Sequence, residues 1–312
     1  MHFDPVLAVR RRAFLTLGSV AAAGLLTACG TAPRPSPTTA APTPEPPPVA
    51  KPPPRPPRIG LALGGGAARG FAHIGVIQVL EEQGIRPDLV VGTSAGSLVA
   101  AMWASGKSGV ELGSLAESMD ETALTDWTYP GRGLLRGEGL AKYVREHTEG
   151  RSIETMKVPL GIVATDLASG QPILFQRGDP GVAVRASSAV PAVFQPVKIG
   201  SREYVDGGLV APVPVQFARQ MGAELVIAVD ISASPEDQPT GDAFKMLLQT
   251  FAIMGRSLGQ YQLREADIVM RPKLQGVSGA DFGARRLSVL AGREAALTVL
   301  ADLRARIAAK SH

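Results

Sequence analysis

The serine at the centre of GTSAG, residues 92–96, has the type and the setting of a nucleophile. In this G-x-S-x-G form a strand turns sharply into a helix, and the turn crowds the serine backbone. Its neighbours two residues away must therefore lack bulk. Ser94 would then be displayed at the carboxyl end of a sheet and the amino end of a helix, placed to attack an acyl carbonyl. Small residues around a serine also make ordinary turns, so both readings stand until a base and an oxyanion site are found.

A possible oxyanion site lies in LALGGGAARGFAHIGV, residues 61–76. Gly64, Gly65 and Gly66, followed by Ala67, can aim several backbone N–H groups at one point. Such a nest suits either a phosphate or a transition-state oxyanion. Arg69 would anchor the loop or hold a charged substrate group. A dinucleotide loop of the G-x-G-x-x-G form needs glycine at position 69, where Arg69 stands, and the Gly-Lys-Ser/Thr ending of a P-loop is absent.

The base is harder to find, because the histidines are His2, His73, His147 and His312. A hydrolase triad runs Ser, then acid, then His, and only the terminal His312 follows a plausible acid. His73 reads either as a general base or, more plainly, as a helix residue bonded near the glycine loop. His147 ends an expected helix, where a cation is favoured. A carboxylate remains: in SREYVDGGLVAPVP, residues 201–214, Asp206 follows a short strand and precedes two glycines that let the backbone approach another loop. D-G-G is also a common turn.

These residues need a frame, and strand and helix patterns alternate from Ile59 onward. Apolar strands are expected at 59–63, 88–92, 159–166, 224–231 and 266–272, and helices at 71–84, 97–106, 110–118, 138–148, 180–189, 214–221, 242–261 and 290–309. Such alternation predicts an α/β domain with a mainly parallel sheet covered on both faces. Residues 119–137, with Trp127 and Tyr129 among polar residues and glycines, read as a loop or lid.

GGGAARG, GTSAG and DGG together resemble the patatin-like phospholipase family, specifically its bacterial branch, over residues 59–230. ASSAVPAVFQPV, residues 186–197, is similar to the family's block before the acid, with Pro191 central. The resemblance implies a three-layer α/β/α fold and a Ser–Asp dyad in which Ser94 attacks an ester carbonyl and Asp206 takes its proton. It assigns the oxyanion loop to Gly64, Gly65, Gly66 and Ala67, with Arg69 anchoring loop or substrate. No cofactor or metal is expected. Two other classes stay open, a non-catalytic surface lipoprotein that binds lipid or a partner, and a nucleotide-binding α/β protein.

Ahead of the domain the chain reads as an address. Arg11 and Arg12 open RRAFL, which resembles a twin-arginine export signal, although Arg10 replaces the usual Ser or Thr. LTAC at 26–29 resembles a bacterial lipobox, and Cys29 is the only cysteine, which suits a thiol reserved for lipid. A cleaved secretory signal with an incidental cysteine is the plainer alternative. The expected order is an export signal at 1–28, a lipidated Cys29 with a Pro-rich tether to 58, and a catalytic domain at 59–312. That places the protein at the bacterial cell envelope, on a membrane through Cys29 after passage through an export machinery. Charge is divided in the same way: residues 1–58 carry seven Lys/Arg against two Asp/Glu, so the formal +4 of the whole chain leaves the rest at −1. Nothing in the folded part calls for nucleic acid.

Overall fold

The computed structural model describes residues 55–311, excepting 121, 123–125, 129–130, 235 and 237–239. Cys29, the twin-arginine run and the lipobox lie outside the described residues, as does most of the expected tether. Its last residues, Arg55 and Arg58, meet the domain at Glu224: the Arg55 guanidinium bonds the carboxylate at 2.8 and 2.9 Å, and the Arg58 N–H bonds it at 2.7 Å.

The chain begins with β1 (Ile59–Leu63), α1 (Phe71–Glu82), β2 (Leu89–Thr93), α2 (Ala95–Ala104) and α3 (Gly109–Ser118). It continues with β3 (Gly133–Leu135), α4 (Glu138–His147), β4 (Leu160–Asp166), β5 (Pro172–Phe175), α5 (Pro180–Ser187) and β6 (Ala192–Phe194). The last part holds β7 (Val197–Ile199), β8 (Arg202–Asp206), α6 (Val215–Gln220), β9 (Leu225–Val229), α7 (Ala243–Gln262), β10 (Ile268–Met270) and α8 (Arg285–Ala309).

The uncharged runs IGLAL, LVVGT and LVIAV are buried at every position. Strands of that kind belong in the middle of a parallel sheet covered on both faces. The sheet order is β10-β9-β1-β2-β4-β8-β7, with β5 also paired to β4. Alternate residues divide between two cores. Leu61, Leu63, Val90, Ile162 and Ile227 pack with α1, α2 and α8, whereas Ala62, Val91, Val163 and Val226 pack with α6. The α/β architecture with a mostly parallel sheet is therefore the expected one.

Beyond β4 the strands turn antiparallel. β2 ends with Thr93 opposite Val163 of β4, and β8 ends with Asp206 opposite Ala164, the next residue along. β5 covers Ile162–Thr165 from the other side, so β2 and β8 share one edge of β4 and meet end to end. Four short strands were absent from the sequence expectation. One of them, β3, lies in the expected lid and pairs in parallel with β6, while Trp127 bridges to Leu135.

Candidate active site

Strand β2 hands the chain to α2 through Ser94, which has φ 52° and ψ −123°. A non-glycine residue in that region is strained and persists only where its surroundings hold it. The two flanking glycines explain how. A Cβ on Gly92 would lie 2.4 Å from the Gly96 carbonyl oxygen, and one on Gly96 would lie 2.2 Å from that of Leu63. The spacing of GTSAG is thus steric in origin, as expected. Ser94 O accepts the N–H of Ser97 at 2.8 Å and its hydroxyl at 2.6 Å, which closes the first turn of α2.

Because β2 and β8 meet end to end, Ser94 and Asp206 leave them facing each other. Ser94 Oγ donates to Asp206 Oδ2 at 2.7 Å. The other carboxylate oxygen, Oδ1, accepts the Gly208 N–H at 2.6 Å. Asp206 N donates to Ala189 O at 3.0 Å, and Asp206 O accepts the Thr165 hydroxyl at 2.7 Å. Gly207 permits the close turn, since a Cβ there would lie 2.2 Å from Val163 O. Asp206 is buried, and burial pushes its carboxyl up to about 6 against the pull of its hydrogen bonds from Ser94 and Gly208. A carboxylate so placed is a stronger base than one in water and is ionised near neutrality.

The glycine loop corrects one expectation. The N–H of Gly64 donates to Val229 O at 3.0 Å, and that of Gly65 donates to Pro212 O at 2.9 Å. Both groups therefore hold the loop in place and are not free to meet an oxyanion. The N–H groups of Gly66 and Ala67 have no acceptor among the described residues, and Ala67 sits at φ 51°. The loop lies against Ser94: a Cβ on Gly65 would be 3.2 Å from Ser94 Cβ. Arg69 anchors it from behind, with a buried side chain whose Nε donates to Ile231 O at 2.9 Å.

His73 takes the plainer of its two readings. It is fully buried, and its Nε2–H donates to Gly64 O at 2.8 Å. Its Nδ1 has no partner among the described residues, and burial lowers its pKa to about 4. It is a neutral strut under the glycine loop. His147 does end α4, but burial and nearby Lys107 lower its pKa, so the expected helix-end cation is disfavoured.

Ser187 was not singled out from sequence. It is fully buried at the end of α5, accepts the Ser94 N–H at 2.8 Å and donates its own hydroxyl to Val163 O. It ties the Ser94 backbone to β4. The only sequence signal was its place in the block before Pro191. A cavity of about 680 Å3 adjoins the glycine loop and is lined by Arg69, Asp230, Arg256, Gln260, Arg271 and Lys273 among others. Neither Ser94 nor Asp206 lines it.

Known proteins share the family pattern and the fold. The family model for patatin-like phospholipase matches residues 61–219, just over half of the chain. An uncharacterized NTE family protein of Mycobacterium tuberculosis is 39% identical over 190 residues, covering 60% of this chain and 52% of the relative. Human patatin-like phospholipase domain-containing protein 6 is 33% identical over 187 residues, 57% of this chain but 14% of that protein. The chain thus spans about half the length of the mycobacterial relative. VipD from Legionella pneumophila superposes with a TM-score of 0.57 at 15% identity, over 80% of this chain and 68% of VipD, and so shares the fold. The chain belongs to the patatin-like phospholipase family.

Proposed function

We propose that the protein is a serine acyl hydrolase that cleaves carboxylic esters of lipids through an acyl-enzyme on Ser94. The observation that carries this reading is the 2.7 Å hydrogen bond from Ser94 Oγ to the buried carboxylate of Asp206. Ionised Asp206 takes the Ser94 proton as Oγ bonds to the ester carbon, and the carbonyl oxygen becomes an oxyanion. The N–H groups of Gly66 and Ala67 stabilise that charge. Collapse of the tetrahedral intermediate breaks the ester C–O bond, and protonated Asp206 returns its proton to the leaving alcohol. Asp206 then activates a water that attacks the acyl-enzyme, and the acid product leaves with Ser94 restored.

A fluorophosphonate probe tests the reading directly. The full chain should be labelled on Ser94 and hydrolyse a soluble ester, and Ser94→Ala should do neither. A folded chain that takes no label would instead be a non-catalytic lipid- or partner-binding member of its family.

For location we propose the bacterial cell envelope, with export through the leader and a lipid on Cys29. LTAC and the single cysteine support this. One acyl chain gives only marginal membrane attachment, so two or more are expected. Labelled palmitate should enter the wild type and not Cys29→Ser; equal labelling of both would remove the anchor.

A further inference from the structure

Helix α7 is 20 residues long, yet only Gly259 and Gln262 are buried. Both lie in its last turn, which docks beside the segment that follows Asp206. Gln262 Nε2 donates to Val210 O at 3.0 Å, and Gln262 Oε1 accepts the Val213 N–H at 3.3 Å. A Cβ on Gly255 would lie 3.9 Å from Gly208 O. The helix thus rises from the rim of the candidate site, and none of the residues from Ala243 to Arg256 is buried.

Its apolar residues run nearly all round: Leu248, Phe251, Ala252 and Leu258 are half-buried on the side of Gly255 and Gly259, and a second set is exposed. Phe244, Met246, Leu247, Ile253 and Met254 are each 41–64% exposed. At about 100° per residue they cover roughly half of the circumference, wider than the ~100° stripe with which a helix usually packs on its own protein. Lys245, Gln249, Arg256 and Gln260 form a polar strip along one edge of that arc, and its end faces the protein. Arg256 and Gln260 line the cavity, and Arg256 bonds Ser234 Oγ at 3.1 Å. A surface helix ordinarily keeps its apolar residues on the inward side alone.

We propose that α7 is an interfacial helix, which lays its exposed apolar arc into the surface of an anionic lipid bilayer and brings the rim of the Ser94–Asp206 site down to it. Charge favours this occupant: the exposed arc carries no charged residue, and between Asp242, which pairs with Lys245, and Glu265 the charged residues Lys245, Arg256 and Arg264 are all basic. Basic residues at the edge of an apolar face favour anionic headgroups. The width of the arc favours a continuous apolar medium over a second copy, which would cover one stripe. The proposal goes beyond the acyl-hydrolase reading and is testable without turnover.

The full chain with Cys29→Ser has no cysteine, so any acyl anchor is absent and a dye can be placed on one introduced thiol. Leu247→Cys carries an environment-sensitive fluorophore, and Lys142→Cys on exposed α4 is the control. Vesicles of phosphatidylcholine with phosphatidylglycerol should blue-shift and brighten the dye at 247 and leave that at 142 unchanged. Adding Ile253→Glu and Met254→Glu should weaken the response about tenfold or more while soluble-ester turnover stays the same. The result should be identical with Ser94→Ala, which separates it from the catalytic reading. No response at 247, or equal responses at both sites, would overturn the proposal. A response that grows with protein concentration without vesicles would also overturn it, in favour of self-association.

Discussion

His73 and Gly64 are joined by a 2.8 Å hydrogen bond that uses the imidazole N–H to support the glycine loop. Asp206, not His73, holds the Ser94 hydroxyl. His73→Gln, which keeps a donor, should retain kcat within about tenfold, whereas Asp206→Asn should lose 10²-fold or more. Both are to be measured on one soluble ester with folding followed by circular dichroism. An inactive, folded His73 variant beside an active Asp206→Asn would reverse the assignment.

The raised pKa of Asp206 fixes the direction of the pH profile. The base works only when ionised, so kcat/KM should rise with an inflection near the folded value of about 6. Stability runs the other way. A carboxyl at about 6 when folded and 3.8 when unfolded binds more protons in the native state, so its contribution to stability falls between those values as pH rises and levels off above. Asp206→Asn removes that loss, on the order of 2–3 kcal/mol. Above pH 7 it should melt higher than the wild type while being inactive. The melting-temperature difference between Asp206→Asn and the wild type should therefore grow from pH 4 to pH 8, and an equal difference at both would contradict this. The wild type alone does not report it, because buried His73, lowered to about 4, contributes the opposite dependence.

Ser187→Ala removes the acceptor of the part-buried Ser94 N–H. An unsatisfied donor so placed costs toward the lower end of about 1–3 kcal/mol, so the melting temperature should drop. The strained elbow should relax too, lowering kcat about tenfold. Ser187→Thr, which restores a hydroxyl, should recover part of kcat; recovery of neither property would show that volume, not the hydroxyl, matters there.

At Gly66 a Cβ would meet Ile231 O at 2.7 Å, so alanine there must push the loop away from its place. Gly66→Ala should lower kcat by about 10²–10³ through loss of an oxyanion donor, with KM nearly unchanged. A rise in KM alone would assign the loop to substrate binding.

Gly96→Ala should prevent folding, because its Cβ would meet backbone at 2.2 Å, whereas Gly241→Ala has open space and should be silent. Soluble yield and thermal melting separate the two.

The central strands were legible because strands buried on both faces must be written as unbroken apolar runs. GTSAG, GGGAARG and DGG were legible because close backbone approach admits nothing larger than glycine. The edge was not. β5 and β6 are only partly buried throughout, and β7 has three residues of mixed exposure, so they lack both the apolar run and the clean alternation. Helix α8 begins at Arg285, five residues before the expected start, since its first turn opens with two arginines and buries only a polar residue, Ser288. No local signal says that Val229 and Pro212 would take the N–H groups of Gly64 and Gly65, because each partner lies far along the chain. Ser187 was hidden for the same reason: its acceptor, Val163, is on another strand.

The end-to-end meeting of β2 and β8 makes the dyad sensitive to chain length. Successive residues of a strand point to opposite faces of the sheet. One residue added or removed within β8 would turn the carboxylate to the far side of β4 while the ladder could still form. The protein would keep its sheet and its displayed serine and have no base. A length change in this short hairpin is therefore a way to abolish the proposed chemistry without unfolding the chain, and the count of residues from Val197 to Asp206 matters to the proposed dyad as much as the carboxylate itself.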